Sequence, residues 1–199
     1  MQIGIIGLGL VGNAIAGRLL AAGHAVYGYD IADAACSNAK SKGVQVQASA
    51  AEVAAHTQTL LLCLMTSEDR RALLWGDQNM ASAIQPGTVI LDVSTSRPED
   101  IVEDGKRLAS IKVRLIDVCL SGSSEVIANG QALALVGDTE QGASYRDMLR
   151  IFTKAQYFFG KPGEGNRMKL IVNMAFGLNR LVLAETLGVA AKAGFDLNT

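Results

Sequence analysis

The sequence predicts an α/β protein with a doubly wound, mostly parallel sheet, followed by one long C-terminal helix. Three observations carry that expectation. An apolar strand, a glycine-rich turn and a helix follow one another at the start of the chain. Apolar strand patterns then alternate with helix patterns through the first two thirds, which is the signature of repeated β-α units. After Gly165 the alternation gives way to a single apolar helical pattern.

The elements read in order as follows. Residues 1–6 form the first strand and residues 14–20 the first helix. Residues 25–29 and 44–46 are the next two strands, with an Ala-rich helix over 50–55. Residues 59–64 are continuously apolar, as a strand covered on both faces should be. Residues 68–75 read as a helix, Pro86-Gly87 as a turn and 88–92 as a fifth strand. Pro98 suits the first turn of a helix, with Ser96 as its expected cap. Strands over 113–117 and 132–136 complete the pattern.

Bulk properties narrow the class. A chain of 199 residues holds one good-sized core and part of a second domain. With 49 % hydrophobic and 19 % charged residues the composition is globular. A formal net charge of −1 offers no electrostatic case for nucleic acid or an anionic membrane as partner. No secretory leader is expected, because Met1 leads directly into a core strand. Cys36, Cys63 and Cys119 are odd in number and lack metal-ligand spacing, so no metal is expected. Cys63 and Cys119 fall in or near apolar strands, which predicts buried free thiols in a reducing cytoplasm. His24 and His56 each begin an apparent strand and read as structural.

The first turn carries the chemistry. Gly7-Leu8-Gly9-Leu10-Val11-Gly12 is a G-x-G-x-x-G motif between a strand and a helix, the context of a Rossmann-type dinucleotide site. Gly7 permits the turn, Gly9 admits a pyrophosphate close to the backbone, and Gly12 lets helix and strand pack closely. The helix N-terminus adds free N–H groups for the phosphates. The second strand ends at Asp30, 18 residues after Gly12, where a carboxylate would accept the ribose hydroxyls. Ile31 and Ala32 follow, with no Arg to meet a 2′-phosphate, so NAD is expected rather than NADP.

The long helix is expected over about 166–193, with Gly194 as its C-terminal stop. Its apolar residues, among them Met168, Ile171, Phe176, Leu178 and Leu183, cover most of its circumference, which predicts burial on all sides. A membrane span is the competing reading. Lys169, Asn173, Asn179, Arg180 and Glu185 interrupt the helix too often for one. Because a sheet domain covers only part of such a helix, two copies are expected to pair through it as a homodimer.

Lys169 and Asn173 stand at i and i+4 near the start of that helix and share one face. A desolvated Lys serves as a general acid or base near neutral pH, and an amide orients a hydroxyl or carbonyl. Asp117-Val118-Cys119-Leu120-Ser121-Gly122-Ser123 is expected as a loop after the sixth strand, on the edge where open α/β sheets bind ligands. Its small residues would hold a carboxylate. Asp92-Val93-Ser94-Thr95-Ser96 follows the fifth strand at the same edge, with hydroxyls in reach of the nicotinamide ribose.

These four segments, in this order, resemble the β-hydroxyacid dehydrogenase family, the 3-hydroxyisobutyrate dehydrogenases among them. The matched pieces are the glycine turn with Gly23-His24, Asp92-Val93-Ser94-Thr95, Ser121-Gly122-Ser123 with Gly130 and Val136-Gly137, and Gly163-Glu164-Gly165 through Lys169 to Asn173. The resemblance implies hydride transfer between NAD and a small 3-hydroxy acid. Lys169 would shuttle the proton, Asn173 orient the substrate, and Ser121 and Gly122, beside Ser123, bind its carboxylate. Leu64, Met65 and Thr95 match cofactor-contacting positions. Met65, Cys119, Ser123 and Val172 depart from the family pattern. The phosphogluconate dehydrogenases share the Lys and Asn but carry a His where Val172 stands. The family continues into an all-helical domain, so residues 1–163 are expected as the dinucleotide domain and 164–199 as the helix that opens a truncated second one. A non-catalytic dinucleotide-binding or interaction module is the alternative.

Overall fold

The computed structural model describes residues 1–197; Asn198 and Thr199, the end of the predicted 164–199 segment, lie outside the described residues. Eight strands form one sheet: β1 (Gln2–Ile6), β2 (Ala25–Tyr29), β3 (Gln45–Val46), β4 (Thr59–Leu62), β5 (Val89–Asp92), β6 (Arg114–Ser121), β7 (Ala132–Val136) and β8 (Thr153–Phe158). Their spatial order is β3-β2-β1-β4-β5-β6-β7-β8. Chain order reverses between β1 and β4, so the crevice at their carboxyl ends is the switch point where such sheets bind ligands. Pairing is parallel throughout except between β6 and β7.

Helices cover both faces: α1 (Leu10–Ala21), α2 (Asp33–Ser41), α3 (Ala50–His56), α4 (Ser67–Trp75), α5 (Pro98–Ala109) and α6 (Ser124–Ala128), then the short α7 (Thr139–Gly142) and α8 (Arg146–Leu149). The central strands β4 and β5 are buried along their length, as their unbroken apolar runs require. One core layer packs around Ile3, Ile5, Leu19, Leu61, Leu91 and Phe152, the other around Ile6, Leu60, Leu62, Ile90 and Leu108.

Several expectations change. The sixth strand runs on to Ser121, so Val118 through Ser121 lie in β6 and not in a loop; β7 turns back antiparallel and supplies their backbone partners. β8 is an unforeseen edge strand, half-buried, in which Lys154 and Gln156 alternate with Ala155 and Tyr157. Ser96 does not cap α5. Arg97 is the cap residue, Pro98 opens the helix, and the Ser96 hydroxyl accepts from Arg70 at 2.7 Å. His56 ends α3 and does not start a strand; its ring stacks on Tyr27. Cys119 is buried, whereas Cys63 is only half-buried.

The long helix is α9 (Glu164–Lys192). At 29 residues it extends about 43 Å. Its first turn is locked to the sheet. Gly163 N–H donates to Asp117 Oδ1 and Asn166 N–H to Asp117 Oδ2, both at 2.9 Å. Asn166 Oδ1 accepts the Ser96 N–H at 2.6 Å. At Gly165 an added Cβ would stand 2.6 Å from the Leu135 carbonyl oxygen, so only a residue without one lets α9 come this close. Beyond this turn the predicted all-round burial fails within the chain. Leu170, Ile171, Met174, Phe176, Leu178, Leu181, Val182 and Leu183 are all exposed. By length and mean hydropathy, 1.3, α9 would also suffice to cross a membrane.

Candidate dinucleotide and acid–base site

The glycine turn has the geometry its spacing implies. Gly7 adopts φ +94° and its N–H bonds the Tyr29 carbonyl, joining the turn to the end of β2. A Cβ on Gly12 would collide with the Gly7 carbonyl. A Cβ on Gly9 would meet no protein atom within 4 Å. The turn is thus tight behind and open in front, the cradle that a pyrophosphate needs at a helix N-terminus. Asn13 steadies it from α1 by donating to the Leu8 carbonyl.

Asp30 stands at the end of β2. Its Oδ2 accepts the Leu8 N–H at 2.6 Å and its Oδ1 the Ala32 N–H at 2.9 Å. The same carboxylate therefore shapes the turn and remains beside it, with lone pairs left for further donors. Leu10 and Met65, 80 % and 87 % exposed, flank the opening as uncovered apolar side chains.

A cleft of about 570 Å³ opens along the carboxyl edge of the sheet. It brings together Gly9, Leu10, Val11, Gly12, Leu64, Met65, Thr95, Gly122, Lys169 and Asn173, all singled out from sequence. Gly7, Leu8, Asp30, Ser121 and Ser123 are not among its lining residues, and Leu8 lines a neighbouring groove instead. Ser121 ends β6 half-buried, and Ser123 spends its oxygen capping α6, accepting the Val126 N–H at 3.3 Å. A larger groove of about 810 Å³ runs between α1, α2 and α6. It shares Gly9 and Leu10 with the cleft but lacks Lys169 and Asn173, which open only onto the smaller cleft.

Lys169 is half-buried and Asn173, one turn on, is exposed. Burial lowers the Lys169 amine from the ordinary lysine range, against a smaller opposing influence from Cys119. The neutral amine is thereby easier to reach than on a solvated Lys. Burial pushes the Cys63 thiol up to about 12 and the Cys119 thiol higher still, so neither is a ready nucleophile. Burial also raises the Asp117 carboxyl above the usual range, against the pull of the Gly163 and Asn166 N–H groups. Among the described residues no group of three or more His, Cys, Asp or Glu is placed to hold a metal ion.

Sequence reasoning missed the supports. Asp117, Asn166 and Ser96 set the helix that carries Lys169, and Ser94 Oγ accepts the Leu64 N–H at 2.9 Å, tying together two cleft loops. Cys63, Val93, Ser94, Leu120 and Ile127 also line the cleft. The available signal was a carboxylate inside each of two otherwise apolar strands, since a buried acid must find donors.

Residues 2–160 match the family described as the NAD binding domain of 6-phosphogluconate dehydrogenase. The chain belongs to that family, and the domain it forms is an NAD(P)-binding domain. It is 28 % identical over 200 residues to the 2-(hydroxymethyl)glutarate dehydrogenase of Eubacterium barkeri, covering 100 % of this chain and 66 % of that protein. It is 29 % identical to the cytokine-like nuclear factor N-PAC of Xenopus tropicalis, covering 100 % of this chain and 37 % of that one. Among solved structures, 3-hydroxyisobutyrate dehydrogenase from Mycobacterium tuberculosis superposes with a TM-score of 0.89 at 28 % identity, over 98 % of this chain and 67 % of the other. The chain thus spans about two thirds of the dehydrogenases it matches.

The glycines make separable predictions. Gly12→Ala should destabilise the fold, because its Cβ strikes the Gly7 carbonyl. Gly9→Ala should leave the thermal midpoint unchanged and weaken dinucleotide binding, because its Cβ enters only the open cradle. Calorimetric titration beside thermal unfolding checks both; a Gly9→Ala variant with undiminished affinity would place the phosphates elsewhere.

Proposed function

We propose that this chain is the cofactor-binding and proton-transfer part of an oxidoreductase acting on a small 3-hydroxy acid with NAD. The observation that supports it best is the opening of Lys169 and Asn173 onto the same cleft as the glycine turn. The related dehydrogenases support it as well. The Eubacterium barkeri enzyme is named for 2-(hydroxymethyl)glutarate, a 3-hydroxy acid, and the Mycobacterium tuberculosis structure includes L-serine, another. On this reading residues 1–163 are the dinucleotide domain and 164–199 the helix that opens a second one.

The bound nicotinamide would supply the hydride acceptor. The chain's own residues do the rest. Neutral Lys169 accepts the substrate hydroxyl proton as the carbinol carbon becomes a carbonyl, and returns it in the reverse reaction. Asn173, on the same face, orients the oxygen. Ser121 and the backbone at Gly122 and Ser123 take the substrate carboxylate. Leu64, Met65 and Thr95 border the dinucleotide, whose phosphates lie on the turn of Gly7 to Gly12, with Leu8, Leu10 and Val11 completing it. Asp30 accepts the ribose hydroxyls and repels a 2′-phosphate. Three free thiols suit a reducing cytoplasm.

Lys169→Ala should lower turnover by roughly 10²–10⁴-fold while NAD still binds. The pH dependence follows from the lowered amine. Oxidation should rise as pH climbs through the Lys169 pKa, below that of free lysine, because the neutral form is the base. Reduction should fall across the same window, because the ammonium is the acid. Steady-state rates across pH in both directions check this; intact turnover in Lys169→Ala would end the assignment.

Cofactor choice is read by titration. NAD should bind more tightly than NADP, and Asp30→Ala should narrow the difference. Equal affinities in the unmodified chain would show that Asp30 serves only its own turn.

The exposed α9 face supports a homodimer. Each large apolar side chain left in water forfeits about 1.5–3 kcal/mol of burial. The first turns of α9 are committed to the sheet by Asp117, which argues against a membrane role for the helix. Sedimentation of the 199-residue chain should give twice the monomer mass of 20.9 kDa, reduced by Leu178→Lys. A well-behaved monomer would refute the pairing.

A further inference from the structure

Arg70, on α4, is wholly buried at 0 % exposure. A guanidinium keeps its charge, so its burial demands acceptors. Nη1 donates to Asp92 Oδ2 at 2.6 Å and to Ser96 Oγ at 2.7 Å. Nε and Nη2 donate to Asp104 Oδ2 at 3.0 and 2.7 Å. Asp104 Oδ1 accepts in turn from Arg71 Nε at 3.0 Å, and Arg71 reaches Asp100 and Glu103 nearer the surface. The start of α4 is itself fixed by a capping box between Thr66 and Asp69.

The Asp104 side of this cluster joins α4 to α5 and would serve stability alone. The Asp92 and Ser96 side does more. These two residues bracket Val93, Ser94 and Thr95, which line the cleft. Asp92 Oδ1 accepts the Ser94 N–H at 3.0 Å, and Ser94 Oγ accepts the Leu64 N–H at 2.9 Å. The Ser96 N–H donates to Asn166, whose own N–H is held by Asp117. One guanidinium thus connects the loop after β5, the loop after β4 and the helix bearing Lys169. Burial pushes the Asp92 carboxyl up, and Arg70 is the largest influence drawing it back down. Stability does not require such an arrangement, since apolar replacements of a buried ion pair are often as stable.

We propose that Arg70 is a positioning residue that holds the two cofactor-facing loops in register with the helix carrying Lys169. The proposal rests on reading the cleft as a dinucleotide site. Through Asp92 it fixes the direction in which Ser94 presents the Leu64 backbone, and through Ser96 it fixes the distance from Thr95 to α9. Its partners lie 22, 26 and 34 residues away in sequence, on three different segments.

Two variants separate positioning from stability. Arg70→Met strands Asp92 and Asp104 without their shared cation and should lower the thermal midpoint. Arg70→Met/Asp92→Asn/Asp104→Asn removes the stranded charges and should recover much of it. At a temperature where each variant is folded, the triple variant should still exchange its Leu64, Ser94 and Ser96 amide hydrogens faster. Its dissociation constant for NAD should rise roughly ten-fold, as expected when a pre-set site loosens. Arg70→Lys, which keeps the charge, should restore part of that affinity. A triple variant matching the unmodified chain in amide exchange and in NAD affinity would overturn the proposal. Amide exchange needs no dinucleotide. If the unmodified chain bound neither NAD nor NADP, the functional reading would fail, while exchange would still report whether Arg70 holds the loops.

Discussion

The carboxylate of Asp117 lies buried in the middle of β6, and its oxygens accept two backbone N–H groups from the first turn of α9. Removing a carboxylate from water costs several kcal/mol, and a hydrogen bond to a charged group returns about 1.5–3 kcal/mol, so one donor cannot offset it. Gly163 and Asn166 each supply a donor from the helix backbone, and the Asn166 amide adds a longer contact at 3.5 Å. Satisfying this one acid therefore fixes where the helix begins and how closely it approaches the sheet. Lys169 follows Asn166 by three residues, so its placement over the cleft is a consequence of the same bonds.

The remaining site geometry comes from the topology. The strands that bear the turn of Gly7 to Gly12, the Leu64 loop and the Thr95 loop are neighbours, β1, β4 and β5, and all run the same way. Their carboxyl ends must then open on one edge, at the reversal of strand order. β6 is next in line and delivers Ser121 and Gly122 to that edge. The glycine turn and the Leu64, Thr95 and Gly122 segments meet there because each follows directly on a strand end, whereas Lys169 and Asn173 reach the same edge on α9 through the Asp117 bonds to its first turn.

What the sequence revealed follows from how local each signal is. The turn of Gly7 to Gly12, the buried runs of β4 and β5, and the helical face shared by Lys169 and Asn173 are all set by residues close together in the chain. The failures were non-local. β6 was read four residues too short because its last residues depend on an antiparallel partner, β7, rather than on their own pattern. β8 is a short, half-exposed edge strand in which Lys154 and Gln156 alternate with Ala155 and Tyr157, so it lacks the continuous apolar run that marked the inner strands. Ser96 looked like a helix cap because caps are local, whereas its hydroxyl serves Arg70, 26 residues earlier. Asp92 and Asp117 could be recognised as charges within apolar stretches, whereas Arg70 stands in the charged run Glu68 to Arg71, and nothing in the sequence says which charge meets which.

The two ends of α9 live under different constraints, and this bears on the chemistry. Its first turn is buried and hydrogen-bonded, while from Leu170 onward it exposes a continuous series of large apolar side chains. Lys169 stands at the border between the two regimes, which is why its amine is lowered by burial yet only half covered. Asn173 already faces water. A surface that covers the exposed part of α9 would also take water from Lys169 and Asn173, drive the amine further down and strengthen every polar contact in the cleft. Apolar burial of the helix and the lowering of the Lys169 amine are therefore one event. An uncovered α9 leaves that amine nearer to an ordinary lysine, and under the proposed function hydride transfer in such a cleft would proceed with water at hand.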